Sequence, residues 1–368
     1  MRIAIVANPQ VPVPPVKYGG IEQVEYYLIK GLQEEGHEPI LFGTADSKVD
    51  CEIVPIINEA IYFPKKHAEL PAYHRRLGQI VQKTAHLLRE NMPRLDIIHS
   101  QGFDLTGFEE FPQLTTLHNP ITLDMLPYYT ERKHLYYVSI SKNQQSTYPD
   151  LNYVSTVYNG LDPAAFPVVE KPQDYLCFLG RFDAEKSPHL AIELAIQMNM
   201  PIKIAGKIAF EGENYFPEKI EPYLQHPLVE YLGELDFKAK VELLSHARCN
   251  LHPTNFREPF GLTVLEAAYC GTPTLAINRG SMSEVIENGR TGALVEDFVE
   301  GYHRMQECFE MDRLYIASRA WSLFNYRTMA RDYIKAYQRI IDAYHAPGSD
   351  EQVTPPLPAL TPVLPNAS

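Results

Sequence analysis

The sequence predicts an α/β protein built from two doubly wound parallel-sheet domains. Short continuous apolar runs alternate with amphipathic segments along most of the chain, as buried parallel strands and their crossover helices do. The alternation stops at residues 159–163, which are rich in turn formers, and then begins again. The length of 368 residues allows each half to bury its own core. We therefore predict one domain at residues 1–160 and a second at residues 161–323.

The composition argues against several classes of protein. Apolar residues make up 45% of the chain, which indicates a globular protein. The net charge of −13 argues against a general nucleic-acid-binding protein and weakens the case for an anionic membrane as partner. The five cysteines are scattered and form no CxxC pair, which favours reduced thiols and a cytoplasmic location. No apolar run reaches about 18 residues, so we expect no transmembrane segment.

The first domain begins with a predicted strand at residues 2–7. Gly19 and Gly20 then open an amphipathic helix that ends near Glu35. A glycine pair before a helix lets the backbone approach a phosphate closely, but it also serves as a plain turn. A GxGxxG fingerprint is absent, which argues against dinucleotide binding.

Further strands of this domain are predicted at residues 38–43, 51–57, 96–100, 113–117, 135–140 and 154–158. His99 and His118 stand at or just after the carboxyl ends of two of them, where ligands gather in open α/β sheets. A structural hydrogen-bonding role for His118 is equally compatible with this position.

A basic segment surrounds a long helix predicted at residues 73–91. It carries Lys65, Lys66, Arg75, Arg76, Lys83 and Arg89. A solvated helix face is the favoured interpretation, and a patch for an anionic acceptor or lipid headgroups is the alternative.

The second domain repeats the alternation of strands and helices. Its strands are predicted at residues 175–179, 202–206, 229–232, 247–252, 274–277 and 293–295. Arg181 and Lys186 follow the first of these strands, where an arginine fork and a lysine point charge can neutralise a pyrophosphate. A last helix near residues 324–345 precedes the proline-rich residues 346–368, which we predict to be a disordered tail.

The segment of residues 251–273 predicts a strand, a loop, a helix and a turn. The helix begins near Gly261 and ends at Gly271. The amides of Gly261, Leu262 and Thr263 lie at its positive end and lack intrahelical partners, so they can bind a phosphate. With Glu258 outside the helix and Glu266 inside it, the segment suits phosphates that lie between two hydroxyl-bearing sugars.

Glu258 and Glu266, within EPFGLTVLEAAYCGTP, resemble the E-x7-E motif of the retaining family-4 glycosyltransferases with the GT-B fold. This resemblance implies two Rossmann-like domains that face each other across a cleft, with the last helix packed on the first domain. It also implies that Glu266 holds the ribose of a nucleotide sugar and that Glu258 contacts the transferred sugar. The amides after Phe260 and Gly261 would then hold the diphosphate.

Shorter motifs resemble the same family. GGIE is similar to its Gly-Gly-x-Glu loop, in which the amides of Gly19 and Gly20 would meet the diphosphate. Arg181 and Lys186 resemble its Gly-Arg-x4-Lys motif, which implies contacts to the diphosphate and stabilisation of the leaving group. His118 matches a histidine near the donor sugar.

One departure from the family pattern follows Lys186. The family usually has glycine there, whereas this chain has Ser187 and Pro188. Because proline is tolerated in a first helical turn, we expect a changed loop shape rather than lost binding.

The resemblance implies a retaining glycosyltransferase that uses a nucleoside-diphosphate sugar and a small-molecule, glycan or lipid-linked hydroxyl acceptor. The expected catalytic residues are Arg181, Lys186, Glu258 and His118, and the expected donor-binding residues are Gly19, Gly20, Gly261, Leu262, Thr263 and Glu266. No metal or other cofactor is expected, because arginine and lysine replace the cation. A nucleic-acid partner is not expected, and peripheral membrane contact stays open.

Several alternatives to this function stay open. A sugar phosphorylase or a nucleotide-sugar epimerase would use the same fold with different chemistry. A non-catalytic nucleotide-sugar-binding protein would keep the site without transferring anything. A dinucleotide-dependent oxidoreductase is disfavoured, because neither half contains GxGxxG.

Overall fold

The computed structural model describes residues 1–64, 66–208 and 214–346, which form two compact units. Unit 1 contains residues 1–15, residues 19–160 and the chain from Tyr326, and unit 2 contains residues 16–18 and 161–325. Apart from Ala346, the predicted tail lies outside the described residues.

Unit 1 is built on a seven-stranded sheet in which every strand pair is parallel. The strands are β1 (Arg2–Val6), β2 (Glu38–Thr44), β3 (Glu52–Ile57), β4 (Ile97–Ser100), β5 (Gln113–Leu117), β6 (Tyr137–Ser139) and β7 (Tyr153–Thr156). The helices that connect them are α1 (Gly20–Glu34), α2 (Leu70–Asn91), α3 (Leu126–Glu131) and α4 (Lys142–Thr147). The strand order β3-β2-β1-β4-β5-β6-β7 changes direction between β1 and β4, which is where ligands bind in doubly wound sheets.

Unit 2 is built on a six-stranded parallel sheet in the order β10-β9-β8-β11-β12-β13. Its strands are β8 (Leu176–Leu179), β9 (Ile202–Ala205), β10 (Val229–Tyr231), β11 (Cys249–His252), β12 (Thr274–Ile277) and β13 (Gly292–Val295). Its helices are α5 (Pro188–Gln197), α6 (Tyr215–Lys219), α7 (Phe237–His246), α8 (Leu262–Tyr269), α9 (Met282–Val285), α10 (Phe298–Phe309) and α11 (Arg313–Leu323). The prediction of two parallel-sheet α/β domains is therefore confirmed.

The lysines and arginines of the basic segment around α2 are all exposed where the structure describes them. These residues are Lys66, Arg75, Arg76, Lys83 and Arg89, while Lys65 lies outside the described chain. Helix α2 begins three residues before its predicted start, because Pro71 fits the first turn of a helix. Of the helices in the described parts of the chain, none has the length and apolar character needed to cross a membrane.

The last helix, α12 (Tyr326–Tyr344), packs against α1 in unit 1. Their close approach depends on Gly31, where a Cβ atom would lie 2.6 Å from Ala330 Cβ and 3.1 Å from the Tyr326 carbonyl oxygen. Polar contacts flank this point, since the Tyr326 hydroxyl donates to Glu34 over 2.7 Å and Arg327 pairs with the same carboxylate. The chain thus returns to unit 1 after completing unit 2.

Helix α1 also buries two carboxyl groups one turn apart. Glu22 is 6% exposed and Glu25 is fully buried, and neither oxygen of Glu25 has a hydrogen-bond partner among the described residues. Burial raises the pKa of Glu22 to about 7. Burial, with the nearby Glu22 charge, also raises the pKa of Glu25 well above its ordinary value. Because the folded chain holds these protons more tightly than the unfolded chain, stability falls as the pH rises from about 4.5 through 7.

The first prediction compares two glycines in helix interiors. Gly31→Ala should lower the free energy of unfolding by about 1–3 kcal/mol, because the added methyl group overlaps Ala330. Gly78→Ala in α2 should raise it by about 0.5–1 kcal/mol, because nothing lies within 4 Å of the added atom. Urea unfolding followed by circular dichroism measures both, and equal shifts in the two variants would contradict the packing described for α12.

The second prediction concerns the buried carboxyl of Glu25. Glu25→Met removes an unpaired buried polar group at similar volume, so it should stabilise the chain by about 1–3 kcal/mol. The gain should be larger at pH 8 than at pH 5, because ionisation of the wild-type carboxyl becomes costly only as the pH rises. Melting temperatures at the two pH values test this. A gain that does not depend on pH would show that Glu25 is not the titrating group.

Candidate active site

The first loop of the site follows β8 and is held by backbone contacts at its start. Gly206 approaches Gly180 so closely that a Cβ atom on Gly206 would lie 1.7 Å from the Gly180 carbonyl oxygen. The Phe182 amide donates to the Lys207 carbonyl over 2.8 Å, which extends the β8–β9 pairing past the ends of both strands. These contacts fix the backbone on both sides of Arg181.

Arg181 is held by acidic side chains of its own loop. Its Nε lies 3.1 Å from Asp183 Oδ2, and its Nη2 lies 3.1 Å from Glu185 Oε2. The arginine side chain is only 11% exposed, so these contacts keep the guanidinium in one orientation. A strongly charged anion could replace the two carboxylates as the partner of this guanidinium.

Lys186 lies near the end of the same loop, two residues before α5. Its backbone amide donates to Asp183 Oδ1 over 2.8 Å. Ser187 follows with φ 48° and ψ 45°, the left-handed conformation that glycine enters without strain. Its hydroxyl donates to the Ala184 carbonyl over 2.7 Å, and Pro188 then begins the helix. Ser187 thus has a backbone conformation that favours glycine, which is the usual residue at this position in the family that the chain resembles.

The Lys186 ammonium contacts Glu258 Oε2 and lies 4.9 Å from the centre of the Phe256 ring. Burial alone would raise the pKa of the Glu258 carboxyl, but the charge and hydrogen bond of Lys186, together with His252 and Arg181 nearby, outweigh burial, and the pKa lies below its usual range. Glu258 is therefore an anion at neutral pH, and the two loops of the site are joined by an ion pair.

The backbone of Glu258 is supported by the segment before α9. The Ser281 amide and hydroxyl both donate to the Glu258 carbonyl, over 2.9 and 3.1 Å. Gly280 has φ +64°, and a Cβ atom there would lie 2.2 Å from the same carbonyl oxygen. The Asn255 amide donates to the Glu185 carbonyl over 2.7 Å and ties the two loops together once more.

Helix α8 begins at Leu262, as the sequence predicted to within one residue. Gly261 precedes it with φ +84°, a backbone conformation that favours glycine, and a Cβ atom there would lie 2.5 Å from Met282 Cε. The amides of Val264 and Leu265 donate to the Gly261 carbonyl, over 3.0 and 3.1 Å. The amides of Gly261, Leu262 and Thr263 come before these first helical bonds, where a helix attracts anions.

Glu266 lies on α8 and is 5% exposed. Its Oε1 contacts the ammonium of Lys240 on α7, which also lies 5.2 Å from the centre of the Phe237 ring. Lys240 was not predicted, because a lysine on an amphipathic helix carries no signal of a buried partner. A ligand that binds Glu266 must share it with Lys240 or displace that contact.

The glycine pair of unit 1 lies at the start of α1. A Cβ atom on Gly19 would lie 2.5 Å from Pro15 Cβ and 2.8 Å from Glu22 Oε2, so the turn itself requires a glycine there. Gly20 is the first residue of the helix. The plain-turn role that the sequence left open is thus sufficient to explain Gly19, and a phosphate-binding role remains a prediction.

His118 directly follows β5 in unit 1 and belongs to a hydrogen-bonded network. Its Nε2 donates to Gln101 Oε1 over 2.6 Å, and Gln101 Nε2 lies 3.1 Å from His99 Nε2. His99 Nδ1 in turn lies 2.7 Å from the Tyr337 hydroxyl of α12. Burial lowers the pKa of His118 to about 4 and, with the charge of His118, that of His99 to about 3. Both rings are therefore neutral at pH 7.

Gln101 was not predicted, although its place directly after β4 is a usual position for polar site residues. Within unit 2, the structure brings together Arg181, Lys186 and Glu258 and joins their loops by the contacts described above. Glu266 lies one helix turn beyond the N terminus of α8. In unit 1, Gly19, Gly20 and His118 follow strands of the other sheet.

Comparisons with known proteins agree with this architecture. Residues 164–304 match the family described as Glycosyl transferases group 1, and residues 18–164 match Glycosyltransferase Family 4. The glycogen synthase of Mycobacterium tuberculosis is 24% identical over 332 residues, which cover 76% of this chain and 79% of that protein.

Two solved structures share the fold at low sequence identity. Sucrose-phosphate synthase from Thermosynechococcus elongatus has a TM-score of 0.74 and 17% identity, with 93% of this chain and 99% of that chain covered. HepE from Anabaena, in complex with UDP and glucose, has a TM-score of 0.71 and 16% identity, with 92% and 99% covered. From its two family matches and its two parallel-sheet units, the chain belongs to the family-4 glycosyltransferases with the GT-B fold.

Proposed function

We propose that this glycosyltransferase moves a sugar from a nucleoside-diphosphate sugar to a hydroxyl acceptor, with retention of anomeric configuration and without a metal ion. The observation that carries the proposal lies in unit 2, where Arg181 and Lys186 share one pair of tied loops with Glu258. The UDP and glucose in the HepE structure support a nucleotide-sugar donor. A cytoplasmic location remains part of the proposal.

In this proposal, each part of the site holds one part of the donor. Arg181, Lys186 and the amides of Gly261, Leu262 and Thr263 bind the diphosphate, because all of them present positive charge or N–H groups. Glu266 accepts hydrogen bonds from the ribose hydroxyls. Glu258 accepts hydrogen bonds from the transferred sugar. For Gly19, Gly20 and His118, the roles that the family resemblance implies remain predictions.

Both cations of the resting site are already paired with carboxylates, which bears on donor binding. Arg181 contacts Asp183 and Glu185, and Lys186 contacts Glu258. The diphosphate must therefore compete with carboxylates for both cations. We infer that donor affinity depends on the difference in free energy between the cation–diphosphate pairs and the cation–carboxylate pairs that they replace. It is therefore sensitive to the acidic partners as well as to the cations.

The proposed chemistry is mainly electrostatic. The bond from the anomeric carbon to the diphosphate oxygen breaks, and the acceptor oxygen forms its bond to that carbon on the same face. An oxygen of the departing diphosphate takes the acceptor proton. Arg181 and Lys186 stabilise the charge that develops on the leaving group, which is the type of contribution that most lowers such barriers. Glu258, already paired with Lys186, acts as a binder rather than a nucleophile.

Calorimetric titration with UDP, GDP, ADP and NAD⁺ in the presence of EDTA tests the donor site. One nucleoside diphosphate should bind with a Kd of about micromolar order, the usual range for such ligands. Binding of NAD⁺ alone, or of none of the four, would contradict the proposal.

With the donor base known, NMR of the product formed with each acceptor class determines the anomeric configuration. Controls with inorganic phosphate or without acceptor separate transfer from phosphorolysis and epimerisation.

The third prediction concerns Arg181→Ala. Turnover should fall by about three orders of magnitude, because a preorganised positive group at the leaving group is lost. Nucleoside diphosphate affinity should fall as well, while the chain stays folded. Arg290→Ala is the control, since Arg290 is an exposed arginine of unit 2 that pairs with Glu287. Wild-type turnover in Arg181→Ala at an unchanged melting temperature would remove Arg181 from the site.

The fourth prediction is that a chelator leaves the reaction rate unchanged. Arg181 and Lys186 supply the positive charge that a metal ion supplies in other transferases, so dialysis against EDTA should cost no activity. Initial rates before dialysis, after dialysis and after addition of Mg²⁺ or Mn²⁺ measure this. Activity that disappears with EDTA and returns with either ion would disprove the metal-independent mechanism.

A further inference from the structure

The last residue of β11, His252, lies against Glu258 in unit 2. The residue is 2% exposed, and its Nε2 is 3.7 Å from Glu258 Oε2. This distance is too long for a hydrogen bond, and Nε2 has no hydrogen-bond partner among the described residues. Burial, followed by the charge of Lys186, lowers the pKa of His252 to about 4, so the ring is neutral at pH 7.

An unpaired buried nitrogen beside a carboxylate needs an explanation, because buried polar atoms are nearly always hydrogen-bonded. His252 belongs to a central strand that pairs with β12 through His252 itself and with β8 through Asn250. The strand holds its backbone in place. The ring is therefore kept beside Glu258 by the sheet, without a bond of its own to that carboxylate.

In the structure, the Glu258 carboxylate is paired with the Lys186 ammonium. The proposed function assigns this ammonium to the donor diphosphate. When the ammonium turns toward the diphosphate, the Glu258 carboxylate weakens or loses this contact. Its side chain is only 12% exposed, so water can replace the lost partner only in part. A shift of about 1 Å would bring His252 Nε2–H within charge-assisted hydrogen-bond distance.

We propose that His252 is a positioning residue. It becomes the hydrogen-bond partner of the Glu258 carboxylate when Lys186 binds the donor. In the donor complex, the His252 Nε2–H donates to the Glu258 carboxylate and keeps it directed at the transferred sugar. The ring thus lowers the cost of releasing Lys186 from its resting ion pair. This inference rests on the proposed function, because it requires a diphosphate that binds Lys186.

A double-mutant cycle tests whether His252 acts through Glu258. The probe is the one nucleoside diphosphate that the wild type binds, titrated calorimetrically. His252→Phe should weaken its binding about tenfold, because Lys186 then leaves an unpaired carboxylate behind. His252→Gln keeps an N–H donor and should stay within about threefold of wild type. In the Glu258→Gln background, His252→Phe should have no effect, because no carboxylate needs a new partner.

His246→Phe is the matched control. His246 Nδ1 lies 3.2 Å from Glu242 Oε1 in the same unit, on α7, so the variant removes a histidine–glutamate contact away from the loops of the site. Its nucleotide affinity should equal that of the wild type. A tenfold loss by His252→Phe that persists with Glu258→Gln would show a role in packing alone and would overturn the proposal. Loss in His252→Gln equal to that in His252→Phe would do the same.

Nitrogen-15 NMR of the wild-type imidazoles supplies a readout that needs no variant at position 252, in case His252→Phe does not fold. Saturating nucleoside diphosphate should shift the His252 Nε2 resonance as the hydrogen bond to Glu258 forms. An unchanged resonance in a chain that binds the nucleotide would overturn the role of His252 alone. A chain that binds none of the nucleotides would overturn the proposed function, and this inference with it.

Discussion

The ion pair between Lys186 and Glu258 is the interaction on which the site in unit 2 depends. It joins two loops that follow different strands, β8 and β11, and it lies where both side chains are largely buried. A buried ion pair contributes little net stability, but the loss of one partner leaves a charge that is costly to bury. The two side chains are therefore suited to an exchange of partners. In this exchange an anionic ligand binds the lysine and another hydrogen-bond donor binds the carboxylate. His252 is placed to be that donor. Lys240 and Glu266 form a second ion pair in which both side chains are largely buried.

Glycines allow the close backbone contacts that place these charges. Gly206 lets β9 pass against Gly180 before Arg181, and Gly280 lets its loop pass against the backbone of Glu258. Gly261 combines a positive φ with contact to Met282 directly before α8. A side chain at any of these positions would meet backbone or core atoms, so the site tolerates little variation there. The polar groups therefore lie on loops whose backbones are fixed by close contacts, and electrostatic stabilisation of a leaving group requires such fixed positions.

The buried polar groups of unit 1 also form hydrogen bonds between residues that are far apart in the sequence. His118 is oriented by Gln101, Gln101 contacts His99, and His99 contacts Tyr337 near the end of the described chain. The network connects a predicted site residue to α12, which packs on α1 through Gly31. The buried Glu25, by contrast, has no hydrogen-bond partner among the described residues, and neither the site nor the core accounts for it.

The sequence by itself determined the alternation of strands and helices, the start of α8 and the positions of the charged residues in the motif loops. These features are local, since apolar periodicity, glycines and helix-terminal residues act over a few neighbouring positions. Only the tertiary structure decided which charged group meets which. Lys186 and Glu258 are 72 residues apart, Lys240 and Glu266 are 26 apart, and His99 and Tyr337 are 238 apart. Such pairs depend on which strands become neighbours in the sheet and on where the last helix returns, and a local pattern carries no record of either.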